Sequence, residues 1–580
     1  MSNLVIDKRT ILNLFSDKRS DFLIPDYQRP YAWSIDECKT LWEDLFSFAI
    51  PDGDYSKFKN EEYFLGPIVT FKNLDGKLEV IDGQQRLTTL MLLLRAFYTK
   101  FGNMKDDESV RTKKKIEECV WKTDDFGKPD LTALKINSEV ATDGDKNEFL
   151  NILKTGEADA NNKSSYSINY RFFQEQINEF IAAYPTYFAY LPIRILNYCI
   201  LLPIEADAQD TALRIFSTLN DRGKPLSDSD IFKAQFYKYF SNNGQKDEFI
   251  AKWKDLEALC IRIFHPTYGT PMDELFSRYM YYRRALLGIK SSTTESLRKF
   301  YEKEQYKILH EKQSFEDLCV LADFWRDISS QSEDVFSSEV LRDLYVLEYA
   351  PNGMWTYFLS VYFMANKDAN NQLNQDSLDA FLKKSIAFVL GYAFTHPGVN
   401  ALRTPIYTEM LNIVGGKDVN FENWKFNESQ LRTAIDNYEF TNVRTLTKSM
   451  LTWWALNNPN QPLLSLEKIF EIEHIYAKKR QEIDGGLSNP KLLESLGNKA
   501  VLESRINIRA SDYRFNDKKK YYLGYTSTGV TRKIVDGTSI YELSEMAQHN
   551  DDFNEQNIVD RYNLIIDSFM NYIKDQQLML

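Results

Sequence analysis

Apolar positions change period several times along the chain, and each change predicts an element. Residues 64–71 form a nearly continuous apolar run of single-strand length. Asp75 and Gly76 supply a turn, and residues 77–81 return as a second strand. Leu87, Leu90, Met91, Leu94 and Phe97 then recur at helical spacing, which predicts a buried helix. Residues 199–204 read as another apolar strand, followed by a helix through Phe216. Residues 102–166 are polar and rich in Lys, Asp and Asn, the pattern of a surface excursion. From about 245 to 430 the pattern is helical, as at 341–349 and 382–392, with Gly and Pro clusters at 266–271 and 396–405. The expected class is α+β: a mixed α/β region over 1–240, a helical bridge over 241–430 and a last region over 431–580. No repeat or low-complexity tract interrupts it.

At 580 residues the chain exceeds one core, and two to four domains are expected. Aromatic residues make up 14% of it, which reads as large helical cores in preference to base-stacking surfaces. The formal net charge of −12 means that any grip on nucleic acid needs a local gathering of Lys and Arg. The five cysteines form no Cys-x-x-Cys pair, which argues against a zinc ribbon or disulfide framework and for a reducing compartment. Residues 1–20 are too charged for a signal peptide, and no run of about 18 apolar residues appears, so a cytoplasmic protein without membrane contact is expected.

The densest chemistry lies late in the chain. Glu473 and His474 are followed by Asn498, Asn507 and Asp512 within forty residues. A neutral imidazole suits deprotonation of water near pH 7, and hard oxygen ligands suit Mg²⁺. Together these residue types can hydrolyse a phosphodiester with one divalent ion. Residues 478–520 hold eleven Lys or Arg against six Asp or Glu, with Lys478 and Lys479 at one end and Lys518 and Lys519 at the other. Either run alone reads as a solvated face; around this motif they can grip a DNA backbone.

A second constellation lies upstream. Asp82, Gly83, Gln84, Gln85 and Arg86 sit between a predicted strand and a predicted helix. Gly83 permits close backbone approach, the helix start offers free N–H groups, and Arg86 adds a fork for phosphate. Asp82 suits Mg²⁺ or a positioned water, and a capped turn would use the same Asp and Gly. Tyr27, Gln28, Arg29, Tyr31 and Trp33 crowd one short extended stretch, in which Pro25 and Pro30 disfavour helix. Asn220, Arg222, Gly223 and Lys224 form a loop before Ser227 and Asp230, which start a helix with a capping box.

These motifs resemble a known family. Residues 24–33, 80–90 and 216–230 are similar to the three motifs of a ParB-like domain marked by an Asp-Gly-Gln-Gln-Arg signature. The resemblance implies binding and hydrolysis of a nucleoside triphosphate, GTP or ATP, by Asp82, Gln84, Gln85 and Arg86. Tyr27, Gln28, Arg29 and Arg222 would lie nearby. The late motif, with Leu496, Gly497, Asn498, Leu502, Asn507, Ser511, Asp512, Phe515, Lys518 and Arg561, resembles an HNH, or His-Me finger, nuclease domain. It implies a ββα-metal fold embedded in a mostly helical domain. His474 would be the general base, Glu473 and Asp512 ligands to Mg²⁺ or Mn²⁺, Asn498 an orienting residue and Asn507 a support. Ala477 replaces the family's usual Pro, and Asp512 its usual Asn.

Both domains in this order resemble the GmrSD-type, or type IV, restriction enzymes. The resemblance implies a modification-dependent endonuclease of antiphage defence, controlled by nucleotide, acting on double-stranded modified DNA, and able to pair as a homodimer. Two other readings use the same motifs: an NTPase whose nuclease has decayed, and a ParB-like DNA-binding regulator.

Overall fold

The computed structural model describes residues 5–102, 104–140, 143–209, 211–212, 215, 227–398, 400–483, 486–527 and 534–580. The chain is α+β and divides into two compact units, Met1–Asp255 and Leu256–Leu580. Among the described residues no helix is long and apolar enough to cross a membrane.

The first unit is built on a mixed sheet. Its strands are β1 (Val5–Ile6), β2 (Arg9–Thr10), β3 (Phe22–Ile24), β4 (Tyr63–Lys72), β5 (Leu78–Asp82), β8 (Ile136–Ser138) and β9 (Cys199–Ala206), while β6 (Trp121–Thr123) and β7 (Pro129–Leu134) pair apart from it. The order is β1-β9-β4-β5-β3-β8, with β2 also on β9. The hairpin of β4 and β5 is antiparallel and turns where Asp75 and Gly76 predict; β4 runs parallel to β9, and β5 parallel to β3. Ile68, Val69 and Thr70 are buried in succession, so β4 is covered on both faces.

Helix α1 (Gln84–Phe101) leaves β5 after one residue, Gly83. It buries the predicted positions and also Leu92, Leu93 and Ala96, so it is enclosed on all sides. Residues 102–166 depart from the expected surface excursion. The helices Asp107–Val120 and Lys146–Thr155 send Ile116, Cys119, Val120, Phe149, Ile152 and Leu153 into the main core. Each buries only a thin stripe, and the charged residues of the outer face mask it in the sequence.

The second unit is mostly helical. Its core is rich in aromatic pairs, such as Phe388 with Phe421 at 3.7 Å between ring centroids and Phe324 with Phe363 at 4.0 Å. The high aromatic content therefore serves packing here. One antiparallel ribbon, β10 (Phe470–His474) with β11 (Lys499–Glu503), lies against the helix Thr445–Asn457. The helix Glu555–Asp575 packs on the turn Leu496–Asn498 that leads into β11. All five cysteines are free thiols.

One buried carboxyl pair in this unit makes a measurable prediction. Asp343 on the helix Ser338–Glu348 meets Asp379 on the helix Gln375–Thr395, which packs against it. Asp343 Oδ2 and Asp379 Oδ1 are shut off from solvent without a hydrogen bond. Burial, and then the Asp379 charge, push the Asp343 carboxyl up from 3.8 to about 8. A raised carboxyl stabilises the fold fully below its unfolded value and loses that contribution as pH rises through the folded one. Wild-type stability should therefore decline between about pH 4 and 8 relative to Asp343→Asn, which keeps a donor toward Asp379 and cannot ionise. Melting temperatures of both proteins across that range test this, and a constant difference would refute it.

Candidate functional site

The late constellation gathers on the ribbon. Register pairs His474 with Lys499 and Glu473 with Ala500, so the motif sits at the open end where 24 residues of chain depart and return. Asn498 closes that excursion. Its backbone oxygen accepts from the Ile475 N–H at 2.9 Å, and its side-chain oxygen accepts from the Tyr476 N–H at 2.7 Å. Its amide nitrogen donates to the carbonyls of Tyr476 and Leu493. Asn498 is fully buried and acts by fixing the chain beside His474.

The turn before it is fixed from behind. A Cβ on Gly497 would overlap the Ile558 carbonyl oxygen and come within 2.8 Å of the Tyr562 nitrogen, so only glycine admits the helix Glu555–Asp575 here. From that helix Arg561 donates to the carbonyls of Leu496, Gly497 and Lys499, and makes two 2.8 Å bonds to Glu542. Burial alone would push the Glu542 carboxyl up, and Arg561 holds it below its usual range.

Glu473, His474, Ala477, Lys478, Asn507, Ser511, Asp512 and Lys518 line one cavity of about 210 Å³. His474 is 9% exposed. Burial, reinforced by Lys499 and other nearby ammonium groups, holds its imidazole down to about 4, so it is neutral at pH 7. Asn507 donates to Glu471 at 2.8 Å. Ser511 ends the helix Ser504–Ala510 with a φ of +44°, a strained value for a residue with a side chain, and turns the chain toward Asp512. Ala477 is buried in the cavity wall.

The expected DNA-binding lysines have different environments. Lys478 and Lys479 are exposed, with Lys478 at 2.9 Å from Glu494. Lys519 reaches Asp551 at 3.2 Å. Lys518 is 1% exposed, and its ammonium lies 2.6 Å from both Glu473 Oε1 and the His474 carbonyl oxygen. Tyr522 donates to the same Glu473 oxygen at 2.6 Å. Burial still pushes the Glu473 carboxyl upward against these partners. Phe515, Lys518 and Tyr522 occupy the buried face of the helix Phe515–Leu523 at helical spacing. Sequence reasoning overlooked that spacing, which marks Lys518 as inward-facing in a run that otherwise reads as solvated. Glu494 and Tyr522 also escaped it.

Hard oxygen donors of the kind a divalent ion takes line this cavity. Among the described residues no group of three or more His, Cys, Asp or Glu side chains converges to hold one. Asp512 is exposed on the cavity wall, with Asn507 and Glu473 beside it. Two carboxylates and an amide oxygen are hard donors, and Mg²⁺ commonly binds one or two carboxylates while keeping several waters. The residues fit such an ion with Asp512 as the freer carboxylate, since Glu473 Oε1 already faces an ammonium.

In the first unit, Gly83 caps α1 with a φ of +88°, packed against Ile68 and the Pro67 carbonyl. Asp82 sits just before it; burial raises its carboxyl, opposed by the Gly83 N–H, Arg86 and Arg29. Gln84 is 6% exposed. Arg86 donates to the Pro67 carbonyl at 2.8 Å, with its guanidinium against Gly66. Gln85 accepts from the Ala32 N–H at 2.7 Å and donates to the Pro30 carbonyl. Gln28 reaches the Val80 and Ile81 carbonyls, and Tyr27 donates to Glu79 at 3.3 Å. Gln85, Gln28 and Tyr27 thus fasten the segment 25–33 to β5 and α1. Arg222 and the rest of its loop lie outside the described residues.

Comparison with known proteins matches both ends of the chain. The family model of the GmrSD restriction endonuclease N-terminal domain covers residues 11–237. That of the GmrSD restriction endonuclease C-terminal domain covers residues 422–568. Together they span more than half of the sequence. No curated protein matches it.

Proposed function

Since the chain belongs to the GmrSD restriction endonucleases, enzymes that act on DNA, we propose that it cleaves modified DNA with the His474 cavity under control of nucleotide bound at the Asp82 turn. The observation that carries the nuclease half is a neutral imidazole sharing one small cavity with Glu473, Asn507 and Asp512. These residues support the reading of an HNH-type site. A water in the cavity gives a proton to His474 as it attacks phosphorus, and the bond to the leaving oxygen breaks. Asp512, with Glu473 and Asn507 beside it, would hold Mg²⁺ or Mn²⁺, which when bound polarises the phosphate. Asn498 keeps the loop after His474 in place, and exposed Lys478 and Lys479 meet the DNA backbone.

In the first unit, the reading is that of a ParB-like nucleotide sensor. The α1 N-terminus and Gly83 take a phosphate, with Asp82 and Arg86 on either side of the turn. Gln84 begins the helix, Arg29 lies within electrostatic reach of Asp82, and Gln85, Gln28 and Tyr27 act from behind by holding the adjoining segment. A modification on the DNA is sensed in combination with GTP or ATP at this turn.

The test is nicking of modified and unmodified phage DNA, each with and without nucleotide, alongside phosphate release. Cutting should depend on the modification and respond to nucleotide. Asp82→Ala and Arg86→Ala should lower phosphate release at least tenfold. Cutting that ignores the modification removes the sensor, and unchanged phosphate release removes the nucleotide site.

A further inference from the structure

His474 leaves one ring nitrogen unsatisfied, and what faces it defines a role. Nε2 is shut off from solvent and makes no hydrogen bond. Glu494 Oε1 lies 3.5 Å from it, a few tenths of an ångström beyond bonding distance. The carboxylate does not sit there by accident of an exposed chain. Lys478 holds Oε1 at 2.9 Å, and Lys499 holds Oε2 at 2.5 Å. Lys499 is itself fully buried, stands opposite His474 in the ribbon, and is tied to the Phe440 carbonyl and the Asn442 side chain. Two ammonium groups therefore fix an ionised carboxylate against the closed side of the imidazole.

The tautomer follows from sign. A bare Nε2 lone pair directed at a carboxylate oxygen would set acceptor against acceptor in a dry setting, whereas an Nε2–H would set donor against acceptor. Nε2 is enclosed while His474 lines the cavity, so Nδ1 is the ring nitrogen available to a reactant there. We propose that Glu494 is the positioning partner of His474, accepting Nε2–H and thereby keeping Nδ1 bare toward the cavity. It deepens the nuclease reading above and rests on it for its consequence in catalysis. Glu494 reaches the reaction only through the imidazole, as an orienting carboxylate does in other histidine-based sites.

The test reads the tautomer directly. Histidine labelled with ¹³C and ¹⁵N gives ring shifts that separate Nε2–H from Nδ1–H; the signal of His474 among the five histidines is the one lost in His474→Ala. Wild type should show Nε2–H. Glu494→Ala should give mixed tautomers and a kcat for DNA cleavage lowered about 10- to 100-fold at unchanged KM. Glu494→Gln, whose amide oxygen can still accept, should restore the tautomer and most of kcat. Nδ1–H in the wild type overturns the assignment whether or not a Glu494 variant folds, as does a Glu494→Ala variant with unaltered tautomer. Absence of DNA cleavage in wild type would count against the nuclease reading alone, because the ring signal is independent of it.

Discussion

Replacing His474 by Ala should lower phosphodiester cleavage by about 10²- to 10⁴-fold, the contribution of a positioned general base. The imidazole is the residue in the cavity suited to take a proton from water at pH 7, because burial and nearby ammonium groups keep it uncharged. Its loss leaves Asp512, Asn507 and the basic flank in place, so DNA binding should change little. Glu494, the acceptor proposed for its Nε2–H, keeps both ammonium partners after the substitution, so the melting temperature should stay close to wild type. Plasmid nicking with Mg²⁺ and a gel-shift assay on the same DNA separate the two effects. Equal cutting by both proteins would mean that another group activates the water.

The second large effect is structural. Arg561→Ala should lower the stability of the Leu256–Leu580 unit by about 3–5 kcal/mol, the range for removing one partner of a buried ion pair. Glu542 would be left with an unpaired charge, and the carbonyls of Leu496, Gly497 and Lys499 would each lose a charge-assisted donor. Those carbonyls belong to the turn that positions Asn498, so cleavage should fall together with stability. Urea unfolding followed by tryptophan fluorescence measures the first, and nicking assays the second. Arg561→Lys should rescue only part, since one ammonium cannot span both Glu542 and the turn. An Ala variant unfolding at the wild-type urea concentration would show that the guanidinium contributes nothing net.

Legibility in the sequence followed the physics of each feature. The β4–β5 hairpin and α1 stood out because one face or all faces are apolar over many residues. The helices Asp107–Val120 and Lys146–Thr155 did not, because their five and three buried residues are diluted by charge. At the site, residue type and spacing were enough to nominate His474, Asn498, Asn507 and Asp512, which the fold brings to one ribbon end and its adjoining helix. Direction was harder. Lys518 and Lys519 are neighbours in a lysine run, yet one is buried on Glu473 and the other reaches Asp551. Only the helical phase with Phe515 and Tyr522 distinguishes them. Glu494 lies two residues before Leu496 but has no place in that motif, and its meaning depends on two lysines that the ribbon and the loop bring to it. At the other constellation, Gln85 and Gln28 read as ligand groups, while their amides are engaged with backbone of the 25–33 segment and β5.

The dependence of the Leu496–Asn498 turn on Gly497 and Arg561 also sets an order of events at birth. The histidine strand leaves the ribosome well before the helix Glu555–Asp575 that buttresses its loop. A nascent polypeptide therefore carries the histidine without an assembled centre around it. On the proposed reading of the His474 cavity, DNA close to the site of translation meets a competent cutter only after that late helix has emerged and docked.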